Sequence, residues 1–275
     1  MMVVVSRLKK YMEKFKVDNT WCPGCGNFFI LEAFKKATSS FKKQELVLVS
    51  GIGCHAKIID YLNINSFYGL HGRCLPLAQG IKLSNPKLKV VCFSGDGDSY
   101  NEGIGHLIHA AKRNSDITVI IHDNHTFALT VKQYTSTSPR GFKGSSTPKG
   151  SVEDPINPLE LMLASGATFI ARGYAGHKDK LTEIIKRGIE HKGFSFIEVL
   201  QPCIAWNNTF EKYNKSVYWK DFSETEGLKA ITEWDYRNGD KIATGVFYQK
   251  EKKSFEEEFS LEKKDSLNVL LKNHV

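Results

Sequence analysis

KVVCFSGDGDSYNEG (89–103), followed by ITVIIHDN (117–124), is the stretch on which the fold turns. KVVCFS and ITVIIH are continuous apolar runs rich in Val and Ile, the composition of parallel strands covered on both faces. Glu102 to Arg113, between them, has helical spacing, so the unit reads strand–helix–strand. Glycines at 95 and 97 let the backbone approach a phosphate, and the helix that follows points its first amide groups back at it. Asp96 would repel a bare phosphate. The conflict resolves if Asp96 holds a divalent cation that bridges to the anion, and magnesium asks for six oxygen ligands in an octahedron. Parallel neighbours bring their C-terminal ends side by side, so Asn124 can offer its amide oxygen to the same ion. A nearby backbone carbonyl would be a third protein ligand.

Outward from this unit the alternation continues. Strands are expected at 46–50, 89–94, 117–122, 168–171 and 195–200, and helices at Asn27–Ser39, Glu102–Arg113 and Lys178–His191. Such alternation predicts an α/β fold with an open, doubly wound and mostly parallel sheet. Thr130 to Asp154 breaks it: the segment is crowded with Ser, Thr, Gly, Pro and Lys and has no hydrophobic period. It reads as a lid, a binding loop or a plain linker. From Glu211 the pattern degrades into aromatic and charged residues, the mark of a solvated extension that packs on a partner. The expected division is a basic N-terminal extension (1–20), a central domain (21–205) and a C-terminal extension (206–275).

The bulk composition belongs to a soluble globular protein. Of 275 residues, 41% are hydrophobic and 25% charged, which excludes disorder and collagen-like repeats. No apolar run approaches the roughly 20 residues of a spanning helix, and the start MMVVVSRLKK lacks the order of a signal peptide. A cytoplasmic location, without membrane attachment, is expected. The net charge of +8 gathers partly at Arg7, Lys9, Lys10, Lys14 and Lys16. No helix-turn-helix, zinc-finger or RNP-type signature accompanies it, so nucleic acid is not an expected partner.

Six cysteines, Cys22, Cys25, Cys54, Cys74, Cys92 and Cys203, remain to be sorted. WCPGCG (21–26) turns two thiolates toward one metal but supplies half of a tetrahedral set. Cys54 and Cys203 sit just past strand ends, on the edge where Asp96 and Asn124 also fall and where open parallel sheets gather ligands. Cys92 lies inside a strand and reads as a buried filler. Cys74 is a reserve candidate for a fourth ligand. A structural zinc site, a redox pair and a redox cluster all remain open at this level.

A GDG strand end with an Asn at the next strand end, 28 residues on, is the pattern of thiamine-diphosphate binding. Together with WCPGCGN, GIGCHAK, LHGR.LPLAQGIKL, HLIHAAKRN and SPRGFKGSSTP, in that family's order, it makes the chain resemble the beta subunit of a 2-oxoacid:ferredoxin oxidoreductase. The similarity runs from about Cys22 to Asn207, with a weaker echo at IATGVFYQK (242–250). The resemblance implies thiamine diphosphate, magnesium (Mg2+) and a four-iron four-sulfur (4Fe-4S) cluster as cofactors. It implies conversion of a 2-oxoacid, coenzyme A and oxidised ferredoxin to acyl-CoA, carbon dioxide and reduced ferredoxin. By position, Cys22, Cys25, Cys54 and Cys203 become cluster ligands, and Asp96, Asn124 and the Thr126 carbonyl become magnesium ligands. Ile52, Gly53, Cys54, His55, His71, Gly97, Asp98, Ala128 and Leu129 would line the cofactor. Lys57 falls where the family often places a cation facing the oxoacid carboxylate, and it also reads as a surface lysine.

There are departures from the resemblance. Many members have Lys-Gly-Gln where this chain has Val131–Lys132–Gln133, His125 and Phe127 replace more usual residues, and Cys74 stands where alanine is common. The substrate rim thus varies while the cofactor frame is kept. Only one GDG frame is present, so the glutamate that activates the aminopyrimidine ring is expected from an alpha subunit. Two other readings are a non-redox thiamine-diphosphate decarboxylase or synthase subunit, and a non-catalytic zinc or iron–sulfur scaffold.

Overall fold

The computed structural model describes residues 17–233 and 241–259. The basic run Arg7–Lys16 and the end of the charged C-terminal run lie outside them. In chain order the elements begin α1 (Asn27–Ala37), β1 (Leu46–Ser50), β2 (Ser66–Tyr68), α2 (Cys74–Ser84), β3 (Lys89–Gly95), α3 (Ile104–Arg113) and β4 (Ile117–Asp123). They continue α4 (Pro158–Ala164), β5 (Phe169–Tyr174), α5 (Lys178–Glu190), β6 (Ser195–Leu200), α6 (Phe210–Ser216), β7 (Val217–Trp219), α7 (Glu224–Thr232), β8 (Ile242–Gln249) and α8 (Phe255–Glu258).

The strands form one sheet in the order β2-β1-β3-β4-β6-β5-β8-β7. Every neighbouring pair is parallel except β5 with β8. The continuous apolar runs are explained by two cores. Val91 and Phe93 of β3, with Ile120 of β4 and Ile197 of β6, face a core shared with α1 and α5. Val90 and Cys92, with Val119, Ile121 and Phe196, face the opposite core, which includes residues of α2, α3, α4 and α7. A strand covered on both sides has no solvent face on which to place polar residues, so no alternation shows in its sequence. No helix among the described residues is long and apolar enough to cross a membrane.

Two expectations need correction. Residues 130–154 are neither linker nor open lid: Thr135, Thr137 and Ser138 are buried, the two threonines bond to the carboxylates at the strand ends, and Ser138 donates to the His125 carbonyl. Among the described residues, the stretch from Glu211 to 259 is not a solvated extension. α6 buries Tyr213, α7 begins with a reciprocal Ser223–Glu226 capping box, and β8 returns antiparallel beside β5. The expected boundary at 205/206 thus marks a change of sequence pattern, while β8 lies in the same sheet as β1–β6. β7 is too short for a hydrophobic period, and Thr244 and Gly245 interrupt that of β8.

Candidate cofactor site and cysteine cavity

The chain leaves β1 toward β2 and then crosses back to β3, so strand order reverses between β1 and β3. Ligands gather in the crevice outside the strand C-termini at such a switch point. The loops after β1, β2, β3 and β4 converge there on one cleft. Ile52, Gly53, Cys54, His55, His71, Asp96, Gly97, Asp98, Asn124, Thr126, Ala128 and Leu129 all line it. The structure therefore brings together every residue expected at the cofactor or magnesium site. After β3, Gly97–Glu102 form a turn of π-helix before α3.

Asp98 organises these loops. Its carboxylate accepts from the N–H of Gly72 (2.7 Å), the N–H of Ile52 (3.2 Å) and the hydroxyl of Ser94 (2.5 Å). Burial works to raise its carboxyl, yet His55, Ser94 and Gly72 together hold it below the usual carboxylate range. A Cβ at Gly51 would stand 1.8 Å from this carboxylate, so the β1 loop closes only with glycine there. Asp98 thus fixes three loops in one register, with its oxygens turned to the protein.

Asp96 is the strained group. It is 2% exposed, and burial followed by the neighbouring Asp123 carboxylate pushes its carboxyl up to about 7. Its Oδ2 accepts from the hydroxyls of Thr135 (2.7 Å) and Thr137 (3.2 Å), and Thr137 also reaches Asp123 Oδ1 at 2.8 Å. Burial would likewise raise Asp123, but adjacent His125 holds it low, and His125 Nε2 meets the Tyr213 hydroxyl at 2.7 Å. Asn124 Oδ1 accepts the N–H of Thr126 at 3.1 Å, leaving a second lone pair on that oxygen. A buried carboxylate crowded by another, beside an amide oxygen on a cleft wall, is a donor set of the hard oxygen kind that magnesium takes.

His122, which the sequence did not single out, also lines the cleft. Its Nδ1 meets Asn27 Oδ1 at 2.8 Å, while its Nε2 is buried without a hydrogen-bond partner. Burial, then the neighbouring His55, lowers its pKa well below the ordinary histidine value, so it enters the site as a neutral ring.

Cys22, Cys25, Cys54 and Cys203 line a second cavity, which shares Cys54, Asn124 and Ala128 with the first. Trp21 pins the CPGC turn by donating from Nε1 to the Cys54 carbonyl at 2.6 Å, and Gly26 N–H donates to Pro202 O at 3.2 Å. Burial pushes the Cys25 thiol up to about 12, and the nearby Cys203, Cys54 and Cys22 thiols push it the same way. Lys57, half-buried on the 3₁₀ turn His55–Tyr61, is close enough for its charge to favour the Cys54 thiolate against burial. Cys74 and Cys92 belong together in the opposite core, so the reserve candidate is a packing residue. Among the described residues no three His, Cys, Asp or Glu side chains converge as ligands of a single ion. The four thiols line a space instead of meeting at a point.

Sequence reasoning missed Thr135, Thr137, Tyr213, Gln201 and Asn207. The last two precede and follow Cys203 in QPCIAWN, and both bond to Asn124. Polar residues two and four positions from Cys203 were the signal available.

Residues 51–199 match the family model of the thiamine pyrophosphate enzyme C-terminal TPP binding domain. A 2-oxoacid:ferredoxin oxidoreductase subunit beta from Saccharolobus solfataricus is 42% identical over 263 residues, covering 87% of this chain and 85% of that protein. The 2-oxoglutarate synthase subunit KorB of Methanocaldococcus jannaschii is 36% identical over 254 residues, covering 90% and 94%. A solved 2-oxoglutarate:ferredoxin oxidoreductase from Magnetococcus marinus, with 2-oxoglutarate, coenzyme A and succinyl-CoA bound, aligns with a TM-score of 0.86. It is 32% identical and the match covers 98% of this chain and 96% of that one. Sharing a thiamine-binding domain and nearly its whole length with these proteins, the chain belongs to the beta subunits of the 2-oxoacid:ferredoxin oxidoreductases.

Proposed function

We propose that this chain holds thiamine diphosphate through magnesium, with a 4Fe-4S cluster beside it, for the coenzyme A-dependent oxidation of a 2-oxoacid. Ferredoxin would take the electrons, and carbon dioxide and an acyl-CoA would leave. The observation that carries this reading is the shared wall: Cys54, Asn124 and Ala128 border both the cofactor cleft and the four-cysteine cavity. Bound thiamine diphosphate supplies a carbanion and an electron sink, and an iron–sulfur cluster supplies one-electron transfer.

The residues divide the work. Asp96, Asn124 and the carbonyl of Thr126 hold magnesium, whose charge offsets the crowding of Asp96 by Asp123. Ile52, Gly53, Cys54, His55, His71, Gly97, Ala128 and Leu129 surround the cofactor, and Asp98 keeps their loops in place. Cys22, Cys25, Cys54 and Cys203 hold the cluster; thiols spread around a space suit a polynuclear group better than one zinc ion, which needs four donors about 2.3 Å from a single point. Lys57, near Cys54, faces the oxoacid carboxylate. Both sites lie within 21–205, and an alpha subunit contributes the glutamate that activates the aminopyrimidine.

The test is anaerobic co-purification with the alpha subunit. Iron and sulfide near four per chain, and oxoacid-dependent viologen reduction by the pair but not by this chain alone, are expected. Cys203→Ala should lose iron and colour while Cys92→Ala keeps them. Stoichiometric zinc, or robust turnover by the isolated chain, overturns the reading.

A further inference from the structure

Gln201 stands between the two sites and is 1% exposed. Its Oε1 accepts from Asn124 Nδ2 at 3.0 Å. Its Nε2 donates to the Pro202 carbonyl at 2.7 Å and to Cys25 Sγ at 3.7 Å. The orientation of both amides follows from fixed backbone groups. The Thr126 N–H, a donor only, requires Asn124 to present its oxygen there, which turns the Asn124 NH₂ toward Gln201. The Pro202 carbonyl, an acceptor only, requires the NH₂ of Gln201 at the other end. One relay of defined polarity thus runs from the magnesium side to the cysteine side. The surrounding loop is stapled in the same sense: Gln201 N–H donates to Asp123 O at 2.8 Å, and Asn207 Nδ2 to Asn124 O at 2.9 Å. A Cβ at Gly26 would stand 3.0 Å from the Gln201 side chain, so glycine there leaves the amide its place.

We propose that Gln201 is a positioning residue that couples the two sites, orienting the Asn124 amide for the cation and donating an N–H···S hydrogen bond to Cys25. This rests on the reading of Asn124 as a magnesium ligand and Cys25 as a cluster ligand. A donor to a ligand sulfur stabilises the more negative, reduced cluster, so its loss lowers the reduction potential. Loss of a partner that orients a metal ligand typically weakens metal affinity by about 10–100-fold. Any coupling is reciprocal.

Two variants of the assembled enzyme separate the two ends. Gln201→Met removes both polar ends at similar length; it should weaken magnesium-dependent thiamine-diphosphate binding about tenfold or more and lower the cluster potential. Gln201→Glu keeps an acceptor for Asn124 but loses the N–H donor, so the potential should fall while cofactor affinity stays near wild type. Calorimetry reads the first quantity and EPR-monitored redox titration the second. In wild type, saturation with magnesium and thiamine diphosphate should shift the potential, and in Gln201→Met it should not. Pulsed EPR on reduced wild type carrying ¹⁵N-glutamine should show nitrogen coupling to the cluster, which needs no variant to assemble. Absent nitrogen coupling, or unchanged affinity and potential in both variants, overturns the role of Gln201 while the proposed function stands. A wild-type enzyme without cluster or cofactor affinity overturns both.

Discussion

Gly97→Ala tests the cofactor cleft with the smallest possible change. Gly97 is not among the glycines with a left-handed φ, so the backbone accepts alanine and only the new methyl group matters. Its Cβ would stand 2.2 Å from Phe127 Cε1 and 2.5 Å from Cζ, whereas carbons pack at about 3.5–4.0 Å, so the ring must retreat by roughly 1.5 Å. The ring cannot simply slide with its backbone. Phe127 N–H donates to Gln133 O at 3.0 Å, and Phe127 O accepts from Lys132 N–H at 3.1 Å. It therefore swings within the cleft or out of it, and overpacking of this kind typically costs about 1–3 kcal/mol. If that cost falls on the bound state, the Kd for thiamine diphosphate rises about 5–150-fold. Titration calorimetry on the enzyme assembled with its alpha subunit measures it. Phe127→Ala added to Gly97→Ala should recover much of the loss, with a coupling energy of about 1 kcal/mol or more in the double-mutant cycle. Wild-type affinity in Gly97→Ala, or strictly additive effects of the two changes, refutes the reasoning.

Asp96→Asn should abolish the rise in thermal stability that magnesium and thiamine diphosphate give wild type, about 2.7 kcal/mol at a hundred times Kd; a full ligand-induced shift in differential scanning fluorimetry contradicts the magnesium assignment. Far from the site, Lys82 Nζ lies 2.6 Å from Asp116 Oδ2, both nearly buried, and Lys82→Met should destabilise by about 3 kcal/mol in urea unfolding, the low end for a broken buried pair, because Lys192 also stands 3.7 Å away. Burial would raise Asp116, but Lys82, Gly193 and Lys192 hold it below its unfolded value of 3.8; the stabilisation is therefore present above that value and lost as pH falls through the lower folded value, so the wild-type advantage should shrink in acid. Lys132 carries a left-handed φ of 64°, and Lys132→Gly should raise stability by up to about 1 kcal/mol by relieving that conformation; a lower Tm speaks against strain at this turn.

The strand–helix alternation was legible in the amino-acid order alone, because hydrophobic period is a local property of the chain. So was the placing of Asp96 and Asn124 on one cleft, since parallel strands in register align their C-terminal ends whatever surrounds them. Those two facts, with the spacing of the glycines, carried the cofactor reading. The glycines themselves were legible for a partial reason: Gly95 and Gly97 make room for His55 and Phe127 as well as for an approaching phosphate.

The groups that reach the site from afar became visible in three dimensions. Thr135 and Thr137 come from a stretch with no period, and their burial follows from hydrogen bonds to Asp96 and Asp123 up to 41 residues away. Tyr213 reaches His125 across 88 positions, and Gln201 reaches Cys25 across 176. Among the cysteines only Cys74 waited for three dimensions: it packs beside Cys92 in the opposite core, while Cys54 and Cys203 border the cavity on the edge where their strand-end positions put them. Side-chain pattern along a chain records which face of its own element a residue occupies. The partner it meets depends on where the sheet order carries distant loops, and in this fold those after β1, β2, β3, β4 and β6 line adjoining cavities on one edge.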